Sequence, residues 1–297
     1  MFATIAGRYP PIDAPPKEAL DATLADQLEA GLGMVGDGQV RTLAADADVA
    51  GAVRAWEATA AAVTRLAVGD APPVKACLVG PLSTPDDLDV ATGRVRAAVL
   101  ALHAAGAPVV QVDEPWASTD AAATEAGRTL ARATWARLLD GVAGHVTLGL
   151  PGGGATAVGA EVLTEAPFGS LLVDLVHGPD DWRPLARVPG ERGVILGVAD
   201  LRRTRPDTRE VLLWAARYAA SMQGRGLARV GLAPSAGLER LSREAARARL
   251  AALAEAAALA TLPPQELVKH VDPRSIDARS AALGRWEPPP RRGSPDG

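Results

Sequence analysis

The sequence predicts an α/β chain folded as a single (β/α)8 TIM-type barrel, and three observations carry that expectation. Eight short apolar, strand-like runs can be counted along the 297 residues. Helical or helix-sized segments separate most of them, the alternation expected of parallel strands joined by crossovers. No Gly-x-Gly-x-x-Gly follows the first run, which removes the usual dinucleotide signature of the runner-up, an open doubly wound sheet.

The elements follow in order. Ala3 to Gly7 reads as a first strand, closed by Arg8-Tyr9-Pro10-Pro11. Lys17 to Ala30 has apolar residues at helical spacing (Ala19, Leu20, Leu24, Leu28), and Gly31 is placed to end that helix as its C′ glycine. Gly33 to Gly36 is a very short second strand leading into Asp37-Gly38-Gln39, and Asp46 to about Ala67 is an alanine-rich helix. Val74 to Val79 is the third strand, after which Thr84 can cap a helix running to His103. The fourth strand begins at Pro108 and stops at Asp113-Glu114-Pro115, where proline forbids a simple continuation. Thr119 or Asp120 caps a helix to about Leu139. His145 to Leu150 is the fifth strand, followed by the glycine run 152–154 and a modest helix from Ala155. Leu171 to Val176 is the sixth strand, and Trp182 to Val188 a short helix or turn. Val194 to Val198 is the seventh, Pro206 to Gly224 a helix, Ala228 to Leu232 the eighth strand, and Leu238 to Leu262 the closing helix. Residues 1–283 are read as one barrel domain, and the proline- and arginine-rich residues 284–297 as a disordered tail.

Composition narrows the function classes. A net charge of −4 with mixed signs offers no basic stripe for nucleic acid. No run approaches the ~20 apolar residues that span a bilayer, and no signal peptide opens the chain, so no membrane partner is expected. The single cysteine, Cys77, excludes an intramolecular disulfide and fits a reducing, cytoplasmic location.

In a parallel barrel, ligands bind at the C-terminal ends of the strands, and the polar residues there form the candidate site. They are Arg8 and Tyr9, Asp37 and Gln39, Ser83 and Thr84, Asp113 and Glu114, Asp174, Asp200 and Arg202, and Ser235. His145 and Thr147 share a face of the fifth strand, and His177 follows the sixth. Strand alternation makes Gln111 and Asp113 point together while Glu114 points away. The excess of carboxylates suggests a small-molecule substrate with an amine or other cationic group, or a metal. Each residue also has a structural reading: a carboxylate can cap a helix, His145 can sit at the bottom of the barrel, and His177 can be a solvated loop residue. Gly152 to Gly154 could cradle a phosphate, but no lysine or serine opens the following helix, and a flexible loop is the better reading.

With these residues in view the chain resembles the cobalamin-independent methionine synthase family, in its catalytic C-terminal barrel and its short single-barrel members. Gln111-Val112-Asp113-Glu114-Pro115 is close to the family's Gln-Ile-Asp-Glu-Pro and is the most specific match. Gly7-Arg8-Tyr9-Pro10 is similar to its Gly-Ser-Tyr/Phe-Pro turn, with Arg8 for serine. Asp37-Gly38-Gln39 resembles its Asp-Gly-Glu, Gly80-Pro81 its Gly-Pro turn, and Gly197-Val198-Ala199-Asp200 its Gly-Val-x-Asp. Pro234-Ser235-Ala236-Gly237-Leu238 resembles its Pro-Asp-Cys-Gly-Leu. The resemblance implies methyl transfer from a methyl-folate to the thiol of homocysteine, held as a thiolate by zinc, which lowers the thiol pKa. It also implies that Asp113 holds the substrate amino group. By position the zinc ligands become His145, Thr147 in place of a cysteine, Asp174, and Ala236 in place of a second cysteine, while Cys77 lies on another strand, too far away to substitute. No metal is therefore expected, and any metal would need His145, Asp174 and His177 together. His145 and Asp174 are the candidate catalytic residues. Asp113, Glu114, Arg8, Tyr9, Asp37, Gln39, Asp200 and Ser235 are the candidate substrate contacts. Two other readings stand beside methyl transfer: a non-catalytic amino-acid- or folate-binding regulator, and a metal-free enzyme similar to uroporphyrinogen decarboxylase, whose Gly-Arg-Tyr segment Gly7-Arg8-Tyr9 echoes.

Overall fold

The computed structural model describes residues 1–39 and 48–272. Among the described residues seven parallel strands form one curled sheet in the order β1-β7-β6-β5-β4-β3-β2. They are β1 (Phe2–Ala3), β2 (Lys75–Val79), β3 (Val109–Asp113), β4 (His145–Leu150), β5 (Ser170–Asp174), β6 (Gly193–Ala199) and β7 (Val230–Pro234). Where an eighth strand was expected, residues 33–36 make only two isolated parallel bridges, Thr4 with Met34 and Val35 with Val74. Those bridges reach both edges of the sheet, from just after β1 to just before β2, so the arrangement is TIM-barrel-like without a regular eighth strand.

Among the described residues ten α-helices accompany the sheet: α1 (Pro16–Glu29), α2 (Val49–Leu66), α3 (Leu88–Ala104), α4 (Glu125–Leu139), α5 (Ala155–Val158), α6 (Ala160–Glu165), α7 (Trp182–Leu185), α8 (Arg209–Ser221), α9 (Arg243–Ala260) and α10 (Pro264–Leu267). The main apolar core lies between the helices and the outer face of the sheet, with Leu24, Val99, Leu102, Val110, Val112, Trp135 and Leu148 all shielded from solvent. A second, small cluster fills the inside of the curl, where Ala6, Leu172, Ile195 and Ala233 meet beside Phe2. Burial of this kind, at roughly 25 cal/mol per Å2 of apolar surface, is what holds parallel strands that have no local hairpin partner.

Several helix starts differ from the sequence expectation, each for a local reason. Thr84 does not cap α3: its hydroxyl donates to the Pro81 carbonyl, and Asp87 accepts from the amides of Asp89 and Val90 instead. Neither Thr119 nor Asp120 begins α4, because residues 115–123 wind into two 3-10 turns and Thr124 accepts from Gly127. The last long helix starts at Arg243 rather than Leu238, where Ser242 accepts from Ala245. The sixth strand ends at Asp174, two residues early, because that carboxylate folds the chain back onto itself. The start of the second helix near Asp46, the domain limit at 283 and the tail 284–297 lie outside the described residues.

Candidate active site at the C-terminal ends of the strands

The best-defined feature inside the sheet is a line of three polar side chains on β2 and β3. Lys75, Gln111 and Asp113 alternate onto the inner face because they sit two residues apart in paired registers. The Lys75 ammonium donates to the Ile5 carbonyl at 2.6 Å and to Gln111 Oε1 at 2.7 Å. Gln111 Nε2 then donates to Asp113 Oδ1 at 2.7 Å. An ammonium has only protons to offer, so the amide must turn its oxygen to Lys75 and its NH2 to Asp113. Burial pushes the Asp113 carboxyl above the ordinary range, while the Gln111 hydrogen bond and the nearby Lys75 charge pull against that shift. Space for the carboxylate comes from the neighbouring strand, where a Cβ on Gly149 would lie 1.9 Å from Asp113 Oδ1. Among the described residues, Asp113 Oδ2 accepts no hydrogen bond.

Glu114 turns the other way and does not line this pocket. It is fully buried under α3 and α4, accepting from the Ser83 hydroxyl at 2.7 Å, the Leu82 amide at 3.3 Å and Trp135 Nε1 at 3.4 Å. Burial pushes its carboxyl up to about 7. Gly80 stays bare because any Cβ there would overlap this carboxyl group.

Asp174 closes β5 and is also fully buried. It accepts from the amides of Gly152, Val176 and His177, and from His177 Nδ1 at 2.7 Å. Its oxygens organise two loops, and His177 is held against it with its ring 40% exposed. The glycine run 152–154, with φ of 83°, 89° and 112°, is an ordered turn. Asp181 accepts from the amides of Ala155 and Thr156 at 3.0 and 2.7 Å, so the helix start considered for a phosphate is occupied by the protein's own carboxylate. Gly197 lies between Asp174 and Ser235, its ideal Cβ only 3.1 and 3.2 Å from their Cα atoms. The Ser235 hydroxyl is buried without a partner among the described residues.

The remaining candidates divide. Asp200 is paired with Arg202 at 2.9 and 3.0 Å; burial raises its pKa, but the guanidinium more than offsets this and the net shift is downward. The Tyr9 hydroxyl donates to Asp26 at 2.7 Å, its own pKa raised by burial, and Arg243 clamps the same carboxylate. Tyr9 thus ties the first loop to α1 and α9. Arg8 is exposed, and its carbonyl accepts from Leu238. Gln39 adopts φ 53°, with its amide donating to Asp37.

His145 is not with Asp174. The β3–β4 register sets Val109 beside His145, Gln111 beside Thr147 and Asp113 beside Gly149. His145 therefore stands at the start of its strand, with Ser170 at the start of β5, and Asp174 closes β5 at the opposite end, about 13 Å away along the strand. His145 Nε2 and Thr147 Oγ1 both meet Ser170 Oγ, at 2.9 and 2.7 Å. The grouping of His145, Asp174 and His177 that any metal would need does not form: Asp174 and His177 meet, and His145 stands apart. Zinc does not fit these residues: Thr147 is spent on Ser170, Ala236 offers no donor, and Asp174 is fully engaged. Among the described residues no cluster of three His, Cys, Asp or Glu side chains could hold a metal. Cys77 lies on the strand beside β3, level with Gln111, nearer than its place in the sequence suggests. Burial pushes its thiol up to about 12, so it is no thiolate at neutral pH.

Among solved structures, the chain is similar to a B12-independent methionine synthase from Shewanella sp. W3-18-1 in complex with selenomethionine. That match has a TM-score of 0.69 at 16% identity and covers 90% of this chain and 98% of that one. A putative vitamin-B12 independent methionine synthase from Listeria monocytogenes gives 0.66 at 14% identity, covering 87% and 97%. The likeness is one of fold. A DHDPS from Cyanidioschyzon merolae with lysine bound gives 0.55 at 13% identity, covering 96% and 84%. No protein-family model matches the chain, and no curated protein matches it. These neighbours are enzymes on a common scaffold, and no helix among the described residues is long and apolar enough to cross a membrane.

Proposed function

We propose that the chain is an enzyme built as a (β/α)8 barrel over residues 1–283, acting on a small amine-bearing substrate, with methyl transfer to a thiol as its reaction class. The observation that carries the reading is Asp113: a half-buried carboxylate with one oxygen fixed by Gln111 and the other without a hydrogen bond among the described residues. A substrate ammonium placed against Oδ2 would complete the carboxylate's hydrogen bonding, a charge-assisted contact stronger than a neutral one. The Ser235 hydroxyl, buried and unpartnered, offers a second polar contact on the same end of the sheet. The likeness in fold to methionine synthases supports methyl transfer, with a methyl-folate as the donor class.

Zinc activation of the thiol has no place in this reading, since the donors present do not suit that metal. Near-stoichiometric zinc in the purified protein would overturn it. Binding of L-homocysteine and L-methionine, measured by calorimetry beside the analogue lacking the α-amino group, tests the recognition step. The amino acids should bind saturably, the analogue should fail, and Asp113→Asn should weaken binding at least tenfold, about 1.4 kcal/mol. Equal binding of the analogue, or no effect of Asp113→Asn, sinks the proposal. A second reading, a binding protein without turnover, is favoured by the replacement of both family thiolates by Thr147 and Ala236. It predicts the same binding and no methylated product from any folate donor.

A further inference from the structure

The opposite end of the sheet holds a cavity of about 470 Å3, within the range of small-molecule sites. The interior of a (β/α)8 barrel is ordinarily packed by layers of branched aliphatic side chains. Here the inward positions at the strand starts are small or polar: Thr147 on β4, Ser170 on β5 and Gly193 on β6. They leave an open space whose apolar wall is made by Phe2, Met34, Val109 and Ile195.

The polar side of this space is ordered. Thr147 and Ser170 are nearly inaccessible to solvent, at 1% and 4% exposure, and their hydroxyls are joined to His145 Nε2 in one line. The arrangement that gives both hydroxyl protons an acceptor runs from Thr147 to Ser170 to Nε2 of a neutral imidazole. That leaves the proton on Nδ1, a donor at the edge of the cavity with no partner among the described residues. The charged lining residues are Glu191, Arg192 and Arg229, an excess of one positive charge. Arg192 is fixed by the carbonyls of Leu163, Thr164 and Ala166 at the end of α6. Arg229 is exposed, and among the described residues its guanidinium makes one hydrogen bond, to the Arg225 carbonyl, long at 3.4 Å.

We propose that this cavity is a second small-molecule site, separate from the Asp113 pocket, which takes a small carboxylate with an apolar body. The carboxylate would lie at the rim between Arg229 and His145, and the apolar body against Phe2, Met34, Val109 and Ile195.

Octanoate is the probe, with octylamine as the charge-reversed control of the same length. Calorimetry on the full chain should show saturable binding of one octanoate and none of octylamine. Arg229→Ala, at an exposed position, should weaken octanoate at least tenfold. Thr147→Leu, which fills the cavity, should abolish binding while circular dichroism remains that of the parent. Asp113→Asn should leave octanoate affinity unchanged, so failure here and failure of the amine pocket are told apart. No octanoate binding, equal binding of octylamine, insensitivity to Arg229→Ala, or loss on Asp113→Asn would each overturn the proposal. If Thr147→Leu misfolds, Ser170→Leu on the neighbouring strand serves the same purpose, and octanoate binding retained in that folded variant counts equally against the site.

Discussion

At the scale of single residues, neighbouring carboxylates on one strand end have opposite roles, and strand alternation alone makes the split legible. Gln111 and Asp113 were expected to point together and Glu114 away, and the inner hydrogen bond between the first two follows from that period of two. What Glu114 meets was not legible, because Ser83 and Trp135 come from other elements. Its buried carboxyl has a measurable consequence. The folded-state pKa of about 7 lies above the ordinary 4.5, so the folded chain holds a proton the unfolded chain has lost across that window. Stability from this group is therefore full below pH 4.5 and lost as pH rises through 7. Glu114→Gln mimics the protonated form. It should be more stable than the parent at pH 8 by up to about 3 kcal/mol, with the difference vanishing near pH 4.5. Urea titrations at the two pH values measure this; a constant offset between the proteins would refute it.

At the scale of elements, most strand runs were legible because buried parallel strands are β-branched and apolar along their length, whereas the short run 33–36 makes only isolated bridges. His145–Leu150 is reproduced to the residue. Helix starts were not, since Thr84, Thr119 and Asp120 are as good cap formers in isolation as Asp87 and Thr124, and only the intervening 3-10 turns decide between them. His145 heads its strand, so a place at the bottom of the barrel was one reading open from the sequence; its partner Ser170 was hidden, because that depends on the register of the next strand. The start of α5 shows an element capped from afar: Asp181 arrives from 26 residues on to accept two amides. Asp181→Ala should cost about 2 kcal/mol, the upper range for a lost cap, and chemical denaturation would show it. Stability unchanged in that variant would mean that solvent caps the helix equally well.

At the scale of the whole molecule, eight runs in sequence anticipated a closed ring, and the structure gives seven strands whose edges are joined through Met34 and Val35. The weak link is the run 33–36, flanked by glycines and too short to build a ladder. Closure is reinforced outside the sheet, where Asp26 on α1 receives Arg243 and Arg247 from α9. The two edges of the sheet are linked within as well, since Lys75 on β2 reaches the Ile5 carbonyl just beyond β1 and Gln111 on β3. That link has a kinetic consequence. The Lys75 ammonium holds the Gln111 amide in one orientation, and Asp113 is latched from behind before any ligand arrives. Amine ligands should therefore associate in one step, with an observed rate that rises linearly with concentration in stopped-flow mixing. Lys75→Met would free the amide to turn, and the same trace should then bend to a plateau set by the time the side chain takes to find its old position.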